Sequence, residues 1–282
     1  MAESMSRIQS PRLIFCAIRT ILLASASKGE KVTRFINNFN VLARCYQQSH
    51  VKPDKQYSIL PTILKLVGDL QGKTVLDLGC GDGFFSRPMA QSGAKWVIGL
   101  DNSEEQLKLA GQWQLPNLEL RLADIFQDDL PMADVINAPF VANYANTSNE
   151  LTKFFVRVNG ALNKNGRAVF VMDIRNFPCG NLGYRRMRAV GATKMTTGDY
   201  PGIFGPNLSV TLWNGGRKPI CVLRVRQHSQ IAIQTALQEA GFQNIRWHLP
   251  IVSAEGIERY DKKFWDGYPE HCELAYITAR HV

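Results

Sequence analysis

Apolar and polar positions along the chain fall into a strand–helix rhythm that starts near residue 53. Residues 53–69 (PDKQYSILPTILKLVGD) place apolar side chains at helical spacing and end near Gly72. Thr74–Leu78 (TVLDL) predicts a buried strand that runs straight into Gly79-Cys80-Gly81-Asp82-Gly83. A helix over 84–92 and a strand over Trp96–Leu100 ending at Asp101 follow. Ser103 is placed to cap a helix over 103–112. Further strands are predicted at 118–122, 134–137 and 166–173, with a helix over 148–162 between the last two. This alternation at short intervals predicts βαβ units and a parallel sheet.

After Asp173 the rhythm changes. Residues 176–219 are rich in Gly, Pro and Asn and read as an insertion, with antiparallel strands expected at Thr211-Leu212 and over 220–226. The helix–strand pattern resumes with a helix at 229–240 ended by Gly241, a strand over 245–249, and a final strand over 273–278. The expected organisation is a basic extension over 1–50 and one domain over 51–282, with 176–228 as a lid.

Composition changes this picture little, but charge sharpens it. The 282 residues carry a formal net charge of +9 and are 45% hydrophobic. That excludes collagen, coiled coil and wholesale disorder. The surplus sits in two places: +5 in residues 1–50 and +7 in residues 180–228, with the remainder slightly acidic. A preference of the whole protein for nucleic acid therefore does not follow, and no stable nucleic-acid partner is expected. No apolar run approaches the length of about 18 residues that a membrane span needs. Cys16, Cys45, Cys80, Cys179, Cys221 and Cys272 are scattered, with no metal-type spacing, so no metal site is expected. Free thiols suit a reducing compartment, and the cytoplasm is the expected location. Residues 13–25 (LIFCAIRTILLAS), in a basic, acid-poor start, also fit an organellar transit peptide or an ordinary helix.

The chemistry is carried by Asp77-Leu78-Gly79-Cys80-Gly81-Asp82-Gly83. Glycines after a buried strand let the backbone take left-handed angles and let a ligand approach closely. Ligands of open α/β sheets bind at the carboxyl ends of such strands. The spacing G-x-G-x-G differs from the G-x-G-x-x-G of nicotinamide enzymes, although Asp101, 22 residues after Gly79, suits a ribose diol in either case. The segment resembles motif I of the class I S-adenosylmethionine-dependent methyltransferases, and the likeness runs from about Tyr57 to Asp173. The resemblance implies an α/β fold: a Rossmann-like, seven-stranded, mostly parallel sheet with helices on both faces and a lid inserted after the fifth strand.

It further implies S-adenosyl-L-methionine as cofactor. Gly79, Cys80, Gly81 and Gly83 would form its turn, with Asp77 near the methionine amino group. Asp101, followed by Asn102, would hold the ribose. Asp124 with Ile125 or Phe126 would meet the adenine, and Asn137-Ala138-Pro139-Phe140 would line the methionine. The implied activity is methyl transfer to an O or N of a small-molecule acceptor by in-line displacement. An RNA- or protein-directed enzyme and a non-catalytic binding protein of the same fold are the alternatives.

Asn143-Tyr144 stands where many small-molecule methyltransferases carry a histidine, so a base is sought elsewhere. His228, His248 and His271 are the histidine candidates; His228, between lid and core, is preferred, and Tyr144 is the second catalytic candidate. Arg185, Arg186 and Arg188, with Tyr184, Tyr200, Phe204 and Trp213, would let the lid grip an anionic or planar acceptor, or simply face water.

Overall fold

The computed structural model describes residues 37–175, 177, 180, 182–197, 207–214 and 218–282. The stretch 13–25, Tyr200 and Phe204 lie outside them. In chain order the elements are α1 (Phe39–Gln47), a 3-10 turn (Gln48–Val51), a π-helical turn (Lys55–Ile59), α2 (Leu60–Val67), β1 (Thr74–Leu78), α3 (Ser86–Gln91), β2 (Trp96–Asp101), α4 (Glu104–Ala110), β3 (Leu118–Leu122) and β4 (Ala133–Pro139). A 3-10 turn (Ala142–Tyr144), α5 (Ser148–Gly160), β5 (Leu162–Asp173), α6 (Tyr184–Val190), β6 (Ala192–Thr197), β7 (Asn207–Asn214) and β8 (Lys218–Arg226) follow. The chain closes with α7 (Gln230–Glu239), β9 (Gln243–His248), α8 (Ala254–Trp265), α9 (Tyr268–His271) and β10 (Leu274–Arg280).

The main sheet has seven strands in the order β3-β2-β1-β4-β5-β10-β9. β1 to β5 pair in parallel, and β10 lies antiparallel to both β5 and β9. From β1 the chain builds outward to β3, then returns to lay β4 on the other side of β1. That reversal opens a crevice above the carboxyl ends of β1 and β4, where open α/β sheets bind ligands.

Period-two alternation sends each strand's side chains into two cores, which is why the parallel strands read as continuous apolar runs. Leu76, Leu78, Ile136 and Phe170 pack under α5 and α7 with Phe154, Phe155, Ile233 and Leu237. Val75, Val135, Val169 and Val171 face the opposite layer, with Ile63 and Val67 of α2, Met89 of α3 and Trp265 of α8.

The insertion forms a second, antiparallel sheet in the order β6-β7-β8. Its apolar face (Leu208, Val210, Leu212, Leu223, Val225) packs on Phe39, Leu42 and Tyr46 of α1 and on Tyr144. Among the described residues, α1 precedes residue 50, yet it is amphipathic and its apolar stripe is buried by the inserted sheet.

Asn143 ties the inserted sheet to the main one. It is fully buried; its amide donates to the Asp173 carbonyl (3.0 Å) and the Arg226 carbonyl (2.8 Å), and its Oδ1 accepts from the Asp173 N–H (2.8 Å). Asn143→Ala would strand these buried backbone groups, at roughly 1–3 kcal/mol for each group left unpaired. Chemical denaturation should show a loss of at least about 2 kcal/mol. A loss below about 0.5 kcal/mol would mean water replaces the amide.

Candidate active site

Register alone builds the centre of the site. Asp77 on β1 pairs directly with Asn137 on β4. Both are fully buried. Asn137 Nδ2 donates to Asp77 Oδ1 (2.8 Å), and Ser86 Oγ donates to Oδ2 (2.5 Å). Burial pushes the Asp77 carboxyl up to about 7 against the pull of these two hydrogen bonds. Asn137 Oδ1 is buried with no partner. A half-ionised carboxylate beside an orphaned carbonyl oxygen forms an acceptor pair suited to an ammonium group.

The turn after β1 is left-handed at Gly79 (φ 65°), Gly81 (φ 56°) and Gly83 (φ 78°). A Cβ on Gly79 would lie 2.3 Å from Val141 Cγ1, so that cradle admits no side chain. The turn is pinned to β2: the Cys80 N–H donates to the Leu100 carbonyl (3.0 Å), and the Gly81 N–H to Asp101 Oδ2 (2.8 Å). Asp101 Oδ1 accepts from the Ser103 N–H (2.9 Å). Burial raises the Asp101 carboxyl, and these backbone donors hold it back. A carboxylate offers about four lone-pair directions, and with the Asn102 backbone as a third donor one remains for a ribose hydroxyl. Asn102 beside it is exposed. Cys80 is buried, which pushes its thiol well above the usual range. Gln106 Oε1, close to Gly81, is a second buried acceptor without a partner.

Asp124 closes its own turn, accepting from the Phe126 N–H (2.9 Å) and Gln127 Nε2 (2.7 Å). Ile125 is buried in the core, and Phe126 lies partly exposed with its ring against Phe154. At the end of β4, Phe140 holds φ 63°, a strained angle for a non-glycine residue.

Tyr144 Oη accepts from Asn37 Nδ2 (3.1 Å), and burial raises its phenol above the usual range. The charges felt by Tyr144 include Asp173 and Asp101, which places it over the same end of the sheet. His228 is also buried, but its Nε2 binds the Ala145 carbonyl (3.0 Å), so that nitrogen is the donor and Nδ1 the acceptor. Burial lowers His228 to about 4. Its folded value lies below its unfolded one, so its contribution to stability is present above about 6.5 and lost as pH falls to about 4. His228→Gln, which keeps a donor for Ala145, should flatten the acid limb of a stability–pH curve between those values by up to about 3 kcal/mol. An unchanged limb would assign the loss to other groups, His50 first. His248 instead bonds Thr278 Oγ1 (2.8 Å) between β9 and β10.

The lid arginines do not converge on the site. Arg185 and Arg186 are exposed; Arg186 donates to the Asp266 carbonyl, and Arg188 lies 5.2 Å from the Trp213 ring. Other cations are buried, Arg226 of β8 among them. Lys194 on β6 pairs with Asp173 Oδ1 (2.9 Å), and Lys55 lies over Tyr46, Phe84 and Phe85. His50 Nε2 donates to Asp82 Oδ1 (2.7 Å), and its ring stacks on Phe84 at 4.3 Å. Burial, helped by Lys55, lowers His50 to about 4. Tyr46 and His50 were missed because a boundary at residue 50 detached α1 and the turn after it. The spacing of Phe39, Leu42, Ala43 and Tyr46 was the available signal.

Residues 69–179 match the family model described as a methyltransferase domain. That segment, which holds β1 to β5, is similar to methyltransferase domains. Among curated relatives, a ubiquinone biosynthesis O-methyltransferase from Bordetella avium is 53% identical over 51 residues, 18% of this chain and 21% of the relative. The chain thus aligns with about a fifth of that relative's length. An S-adenosylmethionine-dependent methyltransferase from Mesorhizobium loti superposes with a TM-score of 0.54 at 18% identity, covering 83% of this chain and 100% of that one. The structure of a DhpI–SAH complex gives a TM-score of 0.55 at 18% identity, covering 86% and 93%. The sheet order and these superpositions bear out the expected seven-stranded, mostly parallel α/β fold. Among the described residues, no helix is long and apolar enough to cross a membrane, and no group of three or more His, Cys, Asp or Glu side chains could hold a metal.

Proposed function

We propose that the chain is an S-adenosylmethionine-dependent methyltransferase acting on an O or N of a small-molecule acceptor. The observation that carries this reading is the buried Asp77–Asn137 pair, with its orphaned oxygen, beside a glycine turn that admits no side chain. Asp77 and Asn137 Oδ1 would receive the methionine ammonium. The glycine turn, with Cys80, would follow the methionine backbone, Asp101 with Asn102 the ribose, and Asp124 with Ile125 the adenine edge. When bound, the cofactor supplies a methyl group on a positively charged sulfur, ready for in-line displacement.

The chain's own task is then positioning, which can account for about 7–11 kcal/mol of such a barrier. The inserted sheet, α1 and the strained turn at Phe140 enclose the acceptor side and exclude water. Tyr144 is the proposed acceptor-side contact. His228 is proposed as a second one, acting through Nδ1. A small acceptor is favoured because two of the three α6 arginines are engaged within the protein, Arg186 by backbone carbonyls and Arg188 by Trp213. The protein is proposed to work in the cytoplasm without metal or stable nucleic-acid partner.

Calorimetry of the full chain with S-adenosylhomocysteine, followed by transfer of a labelled methyl group to a metabolite extract and to total RNA, tests the reading. Binding with label in small molecules is the expected result. Absence of binding heat overturns it, and label in RNA replaces the acceptor class.

A further inference from the structure

Lys55 opens the π-helical turn that precedes α2 and is only 3% exposed. Single π turns recur at functional sites. Its ammonium lies 4.3 Å from the ring centre of Tyr46, 5.0 Å from Phe84 and 5.7 Å from Phe85. Aromatic faces attract a cation but do not replace lone-pair acceptors for its three N–H groups. Among the described residues, no carboxylate forms an ion pair with Lys55, and no acceptor takes a hydrogen bond from it.

The charged and titratable groups that act on it are Lys52, Asp82, Asp54 and Cys221. Asp82 is held by His50 Nε2 at 2.7 Å, and Asp54 by Lys52 Nζ at 3.3 Å. Burial pushes the Cys221 thiol up to about 12, so it carries no charge near neutrality. Burial, with repulsion from Lys52, brings Lys55 down to about 7. A buried cation without its own anion is costly to keep, which points to a ligand that supplies one.

The surroundings define that ligand. Asp82 lies within the glycine turn and Phe84 directly follows it. Tyr46 feels Tyr144, Cys221, Asp82 and Asp173, so Lys55 belongs to the group of side chains over the carboxyl ends of β1, β4 and β5. Phe84 is stacked with His50 at an interplanar angle of 25°, so flat aromatic rings surround the Lys55 ammonium, the setting in which a planar ring can also be received.

We propose that Lys55 binds the anionic oxygen of the methyl acceptor, and that this acceptor is a planar aromatic molecule carrying a carboxylate or a phenolate. The inference rests on the methyltransferase reading above. It moves anion recognition from the exposed arginines of α6 to one buried lysine before α2.

The test uses the full chain, with and without S-adenosylhomocysteine. Three probes are titrated at up to millimolar concentration: benzoate, 4-nitrophenol (ionised near neutral pH and coloured when so) and uncharged benzyl alcohol. Lys55→Met should weaken binding of at least one anionic probe by about tenfold or more, while benzyl alcohol and S-adenosylhomocysteine stay within about twofold. Lys55→Arg should restore part of the anion affinity. The acid that responds, benzoate or 4-nitrophenolate, identifies the oxygen type. Lys55→Met should also raise the melting temperature, because an unpaired buried charge is gone; a purely structural lysine would lower it. Unchanged anion binding in Lys55→Met, equal loss of benzyl alcohol, or no binding of either anion to the wild type overturns the proposal. Failure of S-adenosylhomocysteine to bind the wild type overturns the methyltransferase reading instead, and leaves the anion titrations to decide the role of Lys55.

Discussion

Gly79→Ala is expected to abolish measurable S-adenosylhomocysteine binding. Gly79 sits at φ 65°, where an L-residue is strained by about 1–2 kcal/mol. The new methyl would also fall 2.3 Å from Val141 Cγ1. Val141 is 6% exposed and belongs to the core under α5, so it cannot swing aside. Overpacking of that kind typically costs about 1–3 kcal/mol. If the turn absorbs the clash by moving, ligand affinity should fall by about a hundredfold or more. Gly83→Ala is the control: its φ is 78°, but the nearest contact is the flexible Arg87 guanidinium at 3.3 Å. It should lose only about tenfold. Equal losses in calorimetry would show that backbone strain alone governs the turn.

Asp77→Asn should weaken S-adenosylhomocysteine by about 2–4 kcal/mol, the range for removing one partner of a buried charge pair. The more telling readout is pH. With its carboxyl held near 7, Asp77 must release a proton to receive an ammonium, so wild-type affinity should fall by up to about tenfold per unit below pH 7. In Asp77→Asn this dependence should vanish. Stability should move the opposite way. The folded value is raised, so Asp77 stabilises the ligand-free protein below its unfolded value, and that contribution is lost as pH rises through about 7. At pH 8 the ligand-free Asn variant should therefore melt higher than the wild type. A flat pH profile in the wild type would remove Asp77 from ligand binding.

How far the sequence carries depends on how local each signal is. The β1 strand and its glycines form one contiguous stretch, with Asp77 on β1, Gly79 in the turn and Asp101 at the end of β2. The pairing of Asp77 with Asn137 was not visible, because it is set by sheet register across 60 residues. The antiparallel strands around Thr211 and over 220–226 were legible from alternation. β6, with the sequence ATKMTT, has little apolar alternation and takes its form from pairing with β7. Lys55 gave no signal at all: a lysine beside a proline-bearing helix reads as solvated until the rings of Tyr46, Phe84 and Phe85 enclose it. The lid arginines misled for the same reason, since charge counted along the chain does not say which cations are buried.

α1 bridges the two sides of the crevice. Asn40 Oδ1 accepts from Ser103 Oγ (2.8 Å) at the start of α4, and Asn37 Nδ2 donates to the Arg224 carbonyl (3.0 Å) on β8. The segment shared with the family model, 69–179, contains the glycine turn and Asp101 but none of α1, Lys55 or β8. The molecule thus divides into a segment that matches the methyltransferase model and two flanking segments that pack on each other, which the proposed function makes the acceptor side. Grafting residues 37–59 together with the 184–226 insertion onto a related core should carry acceptor choice with them. Grafting either flank alone would leave the apolar face of α1 or of β7 and β8 bare, and insolubility rather than altered specificity would be the first symptom.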